Sequence, residues 1–181
     1  MSTWPAHDAN PDEAPVTHRN RQTLSMNFGS ALVQSCMRLD DPNALLLEYT
    51  RAMMGFLLLN PNPASILMVG LGGGSIAKYC HQHLPHSHMT VVEINPEVIA
   101  LRDEFMLPPD DERLTVVCAD GVRFMAQCAD QFDVILIDGF TAIGGGAHHL
   151  NIRVSGKNFR NTAAEETGIV HHQDLDSHTH S

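Results

Sequence analysis

Basic side chains are scarce in this chain. Eleven Lys and Arg stand against 21 Asp and Glu, a formal net charge of -10. Proteins that hold a nucleic-acid backbone neutralise phosphates with clustered cations and release counterions, and no such cluster is present. The balance argues against nucleic acid and is compatible with a small cationic ligand. Long apolar runs are also absent. The most apolar stretch, Ala44 to Leu59, carries Glu48 and Arg51 and makes a poor membrane span. Met1 to Pro15 is polar, holds prolines and has no apolar h-region, so no secretory signal is expected. Cysteines are few and scattered: Cys36, Cys80, Cys118 and Cys128 form no C-x-x-C. They read as reduced core thiols in a cytoplasmic protein.

What is present suits one domain with a modest core: 181 residues, of which 43% are hydrophobic. Residues 1–15 read as a disordered leader. Leu24, Met26 and Phe28 alternate with polar neighbours, Gly29-Ser30 can turn the chain, and Ala31 to Leu39 reads as a second strand. Asp41-Pro42 supplies a side-chain acceptor and a proline for a helix start, predicting a helix from about Asn43 to Leu59. A hairpin and a helix thus occupy residues 16–60.

Residues 61–140 read as alternating strands and helices. The strands are Ile66–Val69, Met89–Glu93, Leu114–Cys118 and Phe132–Ile137. The helices are Gly74 to His83, Glu97 to Phe105 behind Asn95-Pro96, and a short one from Asp120-Gly121 to Cys128. This order implies a parallel sheet covered on both faces, with right-handed crossovers placing all strand C-termini on one edge. Gly70, Glu93, Asp120 and Asp138 each fall at such an end, where an open α/β sheet binds its ligand. The glycine-rich turn Gly70-Leu-Gly72-Gly-Gly74 lets a strand turn sharply while its backbone approaches a ligand. Glu93 can accept hydrogen bonds from two ribose hydroxyls. A dinucleotide site is a rival reading, with Ser75 in the third glycine position of G-x-G-x-x-G. Asp120 reads equally as a helix cap or a base-binding acid.

In this order, Arg21 to Phe140 resembles the spermidine synthase (polyamine aminopropyltransferase) family, relatives of the class I S-adenosylmethionine-dependent methyltransferases. The resemblance rests on Gln34-Ser35, Tyr49, the glycine turn, Val92-Glu93-Ile-Asn-Pro-Glu-Val-Ile, Asp120-Gly121 and Asp133-Val-Ile-Leu-Ile-Asp138. It implies an α/β Rossmann-like parallel sheet with helices on both faces, preceded by the hairpin and helix. It also implies decarboxylated S-adenosylmethionine, or S-adenosylmethionine, as co-substrate, with no metal. By resemblance, Gly70, Gly72 and Gly74 line the aminopropyl or amino-acid pocket, Glu93 holds the ribose and Asp120 meets the adenine amino group. Asp138 lies beside the sulfonium and the incoming amine, and Gln34 and Tyr49 touch substrate. The implied reaction moves an aminopropyl group to a small amine such as putrescine.

The chain departs from the family pattern at two places. Thr141 stands where a second acid is expected, and Arg51 reverses a charge near the expected amine site. Residues 141–181 carry Gly144-Gly145-Gly146 and His148, His149, His171, His172, His178 and His180. Leu150, Ile152 and Val154 give the only hint of another strand, so the tail reads as polar, His-rich and disordered, with the C-terminal strands missing. A sheet stopped there leaves an open edge, a route to a homodimer. A small-molecule methyltransferase and a truncated or frameshifted, defective remnant are the other readings. The segment Cys80-His81-Gln-His83-Leu-Pro-His86-Ser-His88 has metal-ligand residue types but reads more simply as a helix end and turn.

Overall fold

The computed structural model describes residues 14–29, 33–139 and 149–154. Three short strands come first: β1 (Val16–Arg19), β2 (Thr23–Asn27) and β3 (Ser35–Arg38), antiparallel in the order β1-β2-β3. The alternation read in β2 is realised, since Leu24 and Met26 are buried and Leu24 lies opposite buried Met37. The expected hairpin therefore has a third strand. β1 escaped notice because most of it is exposed and its one apolar residue, Val16, is 42% exposed, so no alternation marks it. Asn20 shapes the β1–β2 turn, its Oδ1 accepting the N–H of Gln22 and of Thr23, each at 2.8 Å. β3 begins at Ser35 rather than at Ala31, and residues 30–32 lie outside the described set.

The helix expected from Asn43 to Leu59 is much shorter. α1 spans Glu48–Met53 and tightens into a 3-10 segment over Met54–Leu58. Asp41 does not cap it; Leu47 stands at the N-cap without a side-chain bond. The carbonyls that a longer helix would use internally go elsewhere. Arg51 Nη1 donates to Leu45 O (2.8 Å) and Leu46 O (3.0 Å), and Thr50 Oγ1 donates to Leu47 O (2.6 Å). Side-chain donors thus hold residues 45–47 outside the helix.

The main sheet contains β4 (Ser65–Val69), β5 (His88–Glu93), β6 (Leu114–Cys118), β7 (Val134–Gly139) and β8 (His149–Val154), in the order β6-β5-β4-β7-β8. Its first four strands are parallel, and the crossovers carry α2 (Ser75–His83), α3 (Pro96–Ala100) and α4 (Gly121–Gln127). Strand alternation divides the core by face. Ile66, Met68 and Val91 join the larger cluster, with α2, α3 and the N-terminal sheet. Leu67 and Val92 join a smaller one, with Phe124 of α4 packed against it. The expected α/β architecture is present.

Two differences follow from local chemistry. α3 was expected to reach Phe105 but ends at Ala100, where Leu101 and Arg102 donate to Val98 O and Ile99 O in tighter turns. Met106 then takes a left-handed φ of 55°, which turns buried Phe105 back toward the core. The faint Leu150, Ile152, Val154 alternation is realised as β8, which runs antiparallel along β7 from Val134↔Val154 to Gly139↔His149. The tail expected to be without structure thus contributes a fifth strand and covers the β7 edge. The remaining residues of 140–181 lie outside the described set.

Candidate functional site

The parallel strands deliver their C-termini to one edge, and the glycine turn lies between the ends of β4 and β7. Gly70 donates to Val92 O at 2.8 Å, continuing the ladder into the turn. Its φ is +95°, and a Cβ there would meet the Asp138 carbonyl oxygen at 2.1 Å. Only a residue without a side chain lets β4 turn this close to β7. Gly74, at φ +68°, is the N-cap of α2, and no side chain caps that helix start. Its backbone N–H groups are oriented toward the turn, as in helix N-termini that receive ligands.

Glu93 is 8% exposed and joins the two halves of the motif directly. Its Oε2 accepts the Leu71 N–H at 2.8 Å and its Oε1 the Asn95 N–H at 2.9 Å. Each carboxylate oxygen keeps a further lone pair for a ligand hydroxyl. Asn95 itself caps α3, its Oδ1 accepting the Glu97 N–H at 2.9 Å, as its sequence position predicts. At the end of β6, Ala119 donates to Glu93 O at 2.9 Å, which brings Asp120 to the same edge. Asp120 Oδ1 accepts the Arg123 N–H at 2.9 Å and caps α4. The capping alternative for Asp120 is thus realised, with its second oxygen not used in that bond.

Asp138 ends β7 beside these groups. Burial, with the charge of Glu93 added, pushes its carboxyl up to about 6, against a hydrogen bond from Tyr49 that works the other way. The Tyr49 phenol is driven upward, first by burial and then by Asp138. That hydroxyl also lies 3.2 Å from Gln34 O, so Tyr49 links the N-terminal sheet to Asp138. Gln34 is 8% exposed, and its Nε2 finds no hydrogen-bond partner among the described residues. A buried amide left without a partner costs about 1–3 kcal/mol, so such a donor marks a place for a ligand acceptor.

Gly70, Gly72, Gly74, Glu93, Asp138, Tyr49 and Gln34 are therefore joined through one network of neighbouring elements. Thr141 lies outside the described residues. Arg51 Nη1 donates to the Leu45 and Leu46 carbonyls, which precede α1. The Cys80–His88 segment lies toward the opposite edge. Cys80 is buried, with its thiol pushed up to about 12, and His81 Nε2 pairs with Asp111 Oδ2 at 2.8 Å. Among the described residues no three His, Cys, Asp or Glu gather as a metal would require.

Read from sequence, Ser35 and Cys118 have no role at the site and Lys78 is not singled out. Ser35 Oγ accepts the Gly73 N–H at 2.8 Å, and Lys78 is 2% exposed. Cys118, expected as a core thiol, is exposed and lies opposite Glu93 in the β5–β6 register. The position of Ser35 beside Gln34 was the one available signal; nothing local marked the other two.

A family model described as the spermine/spermidine synthase domain matches residues 46–181. The polyamine aminopropyltransferase of Chromobacterium violaceum is 46% identical over 120 residues, covering 66% of this chain and 46% of that protein. The eEF1A lysine and N-terminal methyltransferase of Xenopus laevis is 38% identical over 109 residues, covering 54% of this chain and 16% of that protein. This chain thus spans less than half the length of either relative. Among solved structures, a probable spermidine synthase from Corynebacterium glutamicum matches with a TM-score of 0.56 at 23% identity. The match covers 73% of this chain and 50% of that one, a likeness of fold.

Proposed function

Because the chain belongs to the spermine/spermidine synthase domain family, we propose that it binds decarboxylated S-adenosylmethionine and transfers its aminopropyl group to a small polyamine such as putrescine. The observation that carries this reading is the Glu93–Leu71 bond, which ties a ribose-type acid to the glycine turn at the strand edge that also holds Asp138. Glu93 accepts the ribose hydroxyls, the second oxygen of Asp120 meets the adenine amino group, and Gly70, Gly72 and Gly74 leave room for the aminopropyl arm. Gln34 and Tyr49 border the amine.

The reaction is an in-line displacement. A neutral amine nitrogen attacks the carbon next to the sulfonium, a C–N bond forms, and the C–S bond breaks to release methylthioadenosine. The new ammonium then gives up one proton. Asp138, once ionised, attracts the cationic amine and the sulfonium, and it can accept that proton. Holding nucleophile and sulfonium in line supplies much of the acceleration. Glu93 and Asp138 also disfavour a third carboxylate at the site, which supports the decarboxylated co-substrate over S-adenosylmethionine. Among the described residues no helix is long and apolar enough to cross a membrane, and the working place proposed is the cytoplasm.

A methyltransferase is the second reading, favoured by the 38% identity to the Xenopus laevis methyltransferase. Calorimetric titration with decarboxylated S-adenosylmethionine, S-adenosylmethionine and methylthioadenosine separates the two. Preference for the decarboxylated form supports aminopropyl transfer, preference for the intact form supports methyl transfer, and no binding of any of the three overturns both. A putrescine assay on Thr141→Asp then asks whether the absent acid limits turnover. A gain in rate is the expected result.

A further inference from the structure

Gly73, at the centre of the glycine turn, sits in a slot with two walls. A Cβ placed on it would lie 2.6 Å from Ser35 Oγ and 2.6 Å from the Phe105 ring. One wall is bonded to it, since Ser35 Oγ accepts the Gly73 N–H at 2.8 Å. Both walls are held by a single ammonium. Lys78 Nζ donates to Phe105 O at 2.7 Å, behind the ring, and to Met37 Sδ at 3.0 Å. Met37 lies two residues from Ser35 on the same buried face of β3. Lys78 itself rides on the first turn of α2, its N–H bonded to Gly74 O at 2.9 Å.

This arrangement is a poor device for stability. An ammonium 2% exposed, whose bonds go to a carbonyl and a thioether and not to a carboxylate, is expensive to bury. Desolvation accordingly depresses the Lys78 amine to about 8. An apolar side chain of similar length avoids that cost, and leaving the Phe105 carbonyl without its donor costs less than burying the charge. What the ammonium supplies is direction, because it fixes the Phe105 carbonyl and β3 relative to each other and so fixes the width of the slot.

We propose that Lys78 and Ser35 are positioning residues that clamp the Gly73 peptide and thereby set the shape of the turn that receives the adenosyl sulfonium. The proposal rests on the reading of the site given above. Neither side chain touches the ligand; both act through the turn.

The full chain is titrated with methylthioadenosine as wild type, Lys78→Met and Ser35→Ala, and each is melted at pH 7. Lys78→Met is expected to melt at or above the wild type yet bind about tenfold more weakly, on the scale of one lost hydrogen bond. Ser35→Ala is expected to weaken binding to a similar degree with little change in melting. Affinity equal to wild type in both folded variants overturns the proposal. So does a Lys78→Met protein that melts lower and binds weaker in step, or fails to fold, as far as Lys78 is concerned; Ser35→Ala then decides the rest. A wild type that does not bind methylthioadenosine overturns the reading of the site, and this proposal with it. Binding by wild type with unchanged variants overturns this proposal alone.

Discussion

Asp138 is the side chain at which stability and proposed chemistry pull apart. Its carboxyl, raised to about 6 from an ordinary value of 3.8, holds its proton more tightly folded than unfolded. Between those two values the folded state binds more protons, so stability falls as pH rises through the window. The penalty is complete above pH 6 and relieved below 3.8. Asp138→Asn is therefore expected to melt higher than wild type at pH 7, with the gap closing by about pH 4, as calorimetric scans at several pH values would show. Transfer should change in the opposite sense: wild-type kcat/KM falls on the acid side of about pH 6, and the asparagine variant is nearly inactive throughout. A variant that is no more stable at pH 7 would refute the buried charge. At this scale the glycines, Glu93 and Asp138 were legible because each sits at a strand end, and strand ends follow from local apolar runs. Ser35 and Lys78 were not, since their partners lie 38 and 27 residues away and only the packed fold brings them together.

The starts of α3 and α4 are set by side-chain acceptors, and there the sequence can be read. Asn95 and Asp120 cap α3 and α4 at the positions their residue types suggest. α1 could not be read that way. Asp41-Pro42 offers a good start, but Arg51 and Thr50 take the carbonyls of residues 45–47 from the far side of the expected helix. The end of α3 was equally hidden, because it lies in the change to tighter turns at Leu101 and Arg102, which no residue type announces. Asp120 matters further because capping and ligand binding can be separated in it. Asp120→Ala should lose about 1 kcal/mol of stability through the lost cap. Asp120→Asn should keep the cap through its amide oxygen, while its amide N–H groups face the adenine amino group as donor against donor. Wild-type melting with several-fold weaker methylthioadenosine binding is the expected result for the asparagine variant. Wild-type binding would leave Asp120 as a cap and nothing more.

At the scale of the whole chain, the open question in a sheet of four parallel strands is the free edge of β7. A βαβ pattern leads one to look for the next strand after another helix. Instead β8 lies antiparallel beside β7 and pairs with all six of its residues. The alternation at Leu150, Ile152 and Val154 was only a faint signal because it is short and stands in an otherwise polar segment. The consequence concerns association. An uncovered β7 would present the unpaired N–H and C=O groups of a buried-type strand, a template for pairing with a second copy. With β8 in place, the β7 edge is paired within the chain, and the end of the sheet on that side passes to β8. A chain ending at residue 140 should therefore associate in a concentration-dependent way in sedimentation velocity, while the full chain at matched concentration does so less. The shortened chain should also lose stability, since Ile135 and Ile137 would lose cover on the strand edge. If instead the shortened chain sediments as the full chain does, β8 adds no protection, and the β7 edge must be tolerated as it stands.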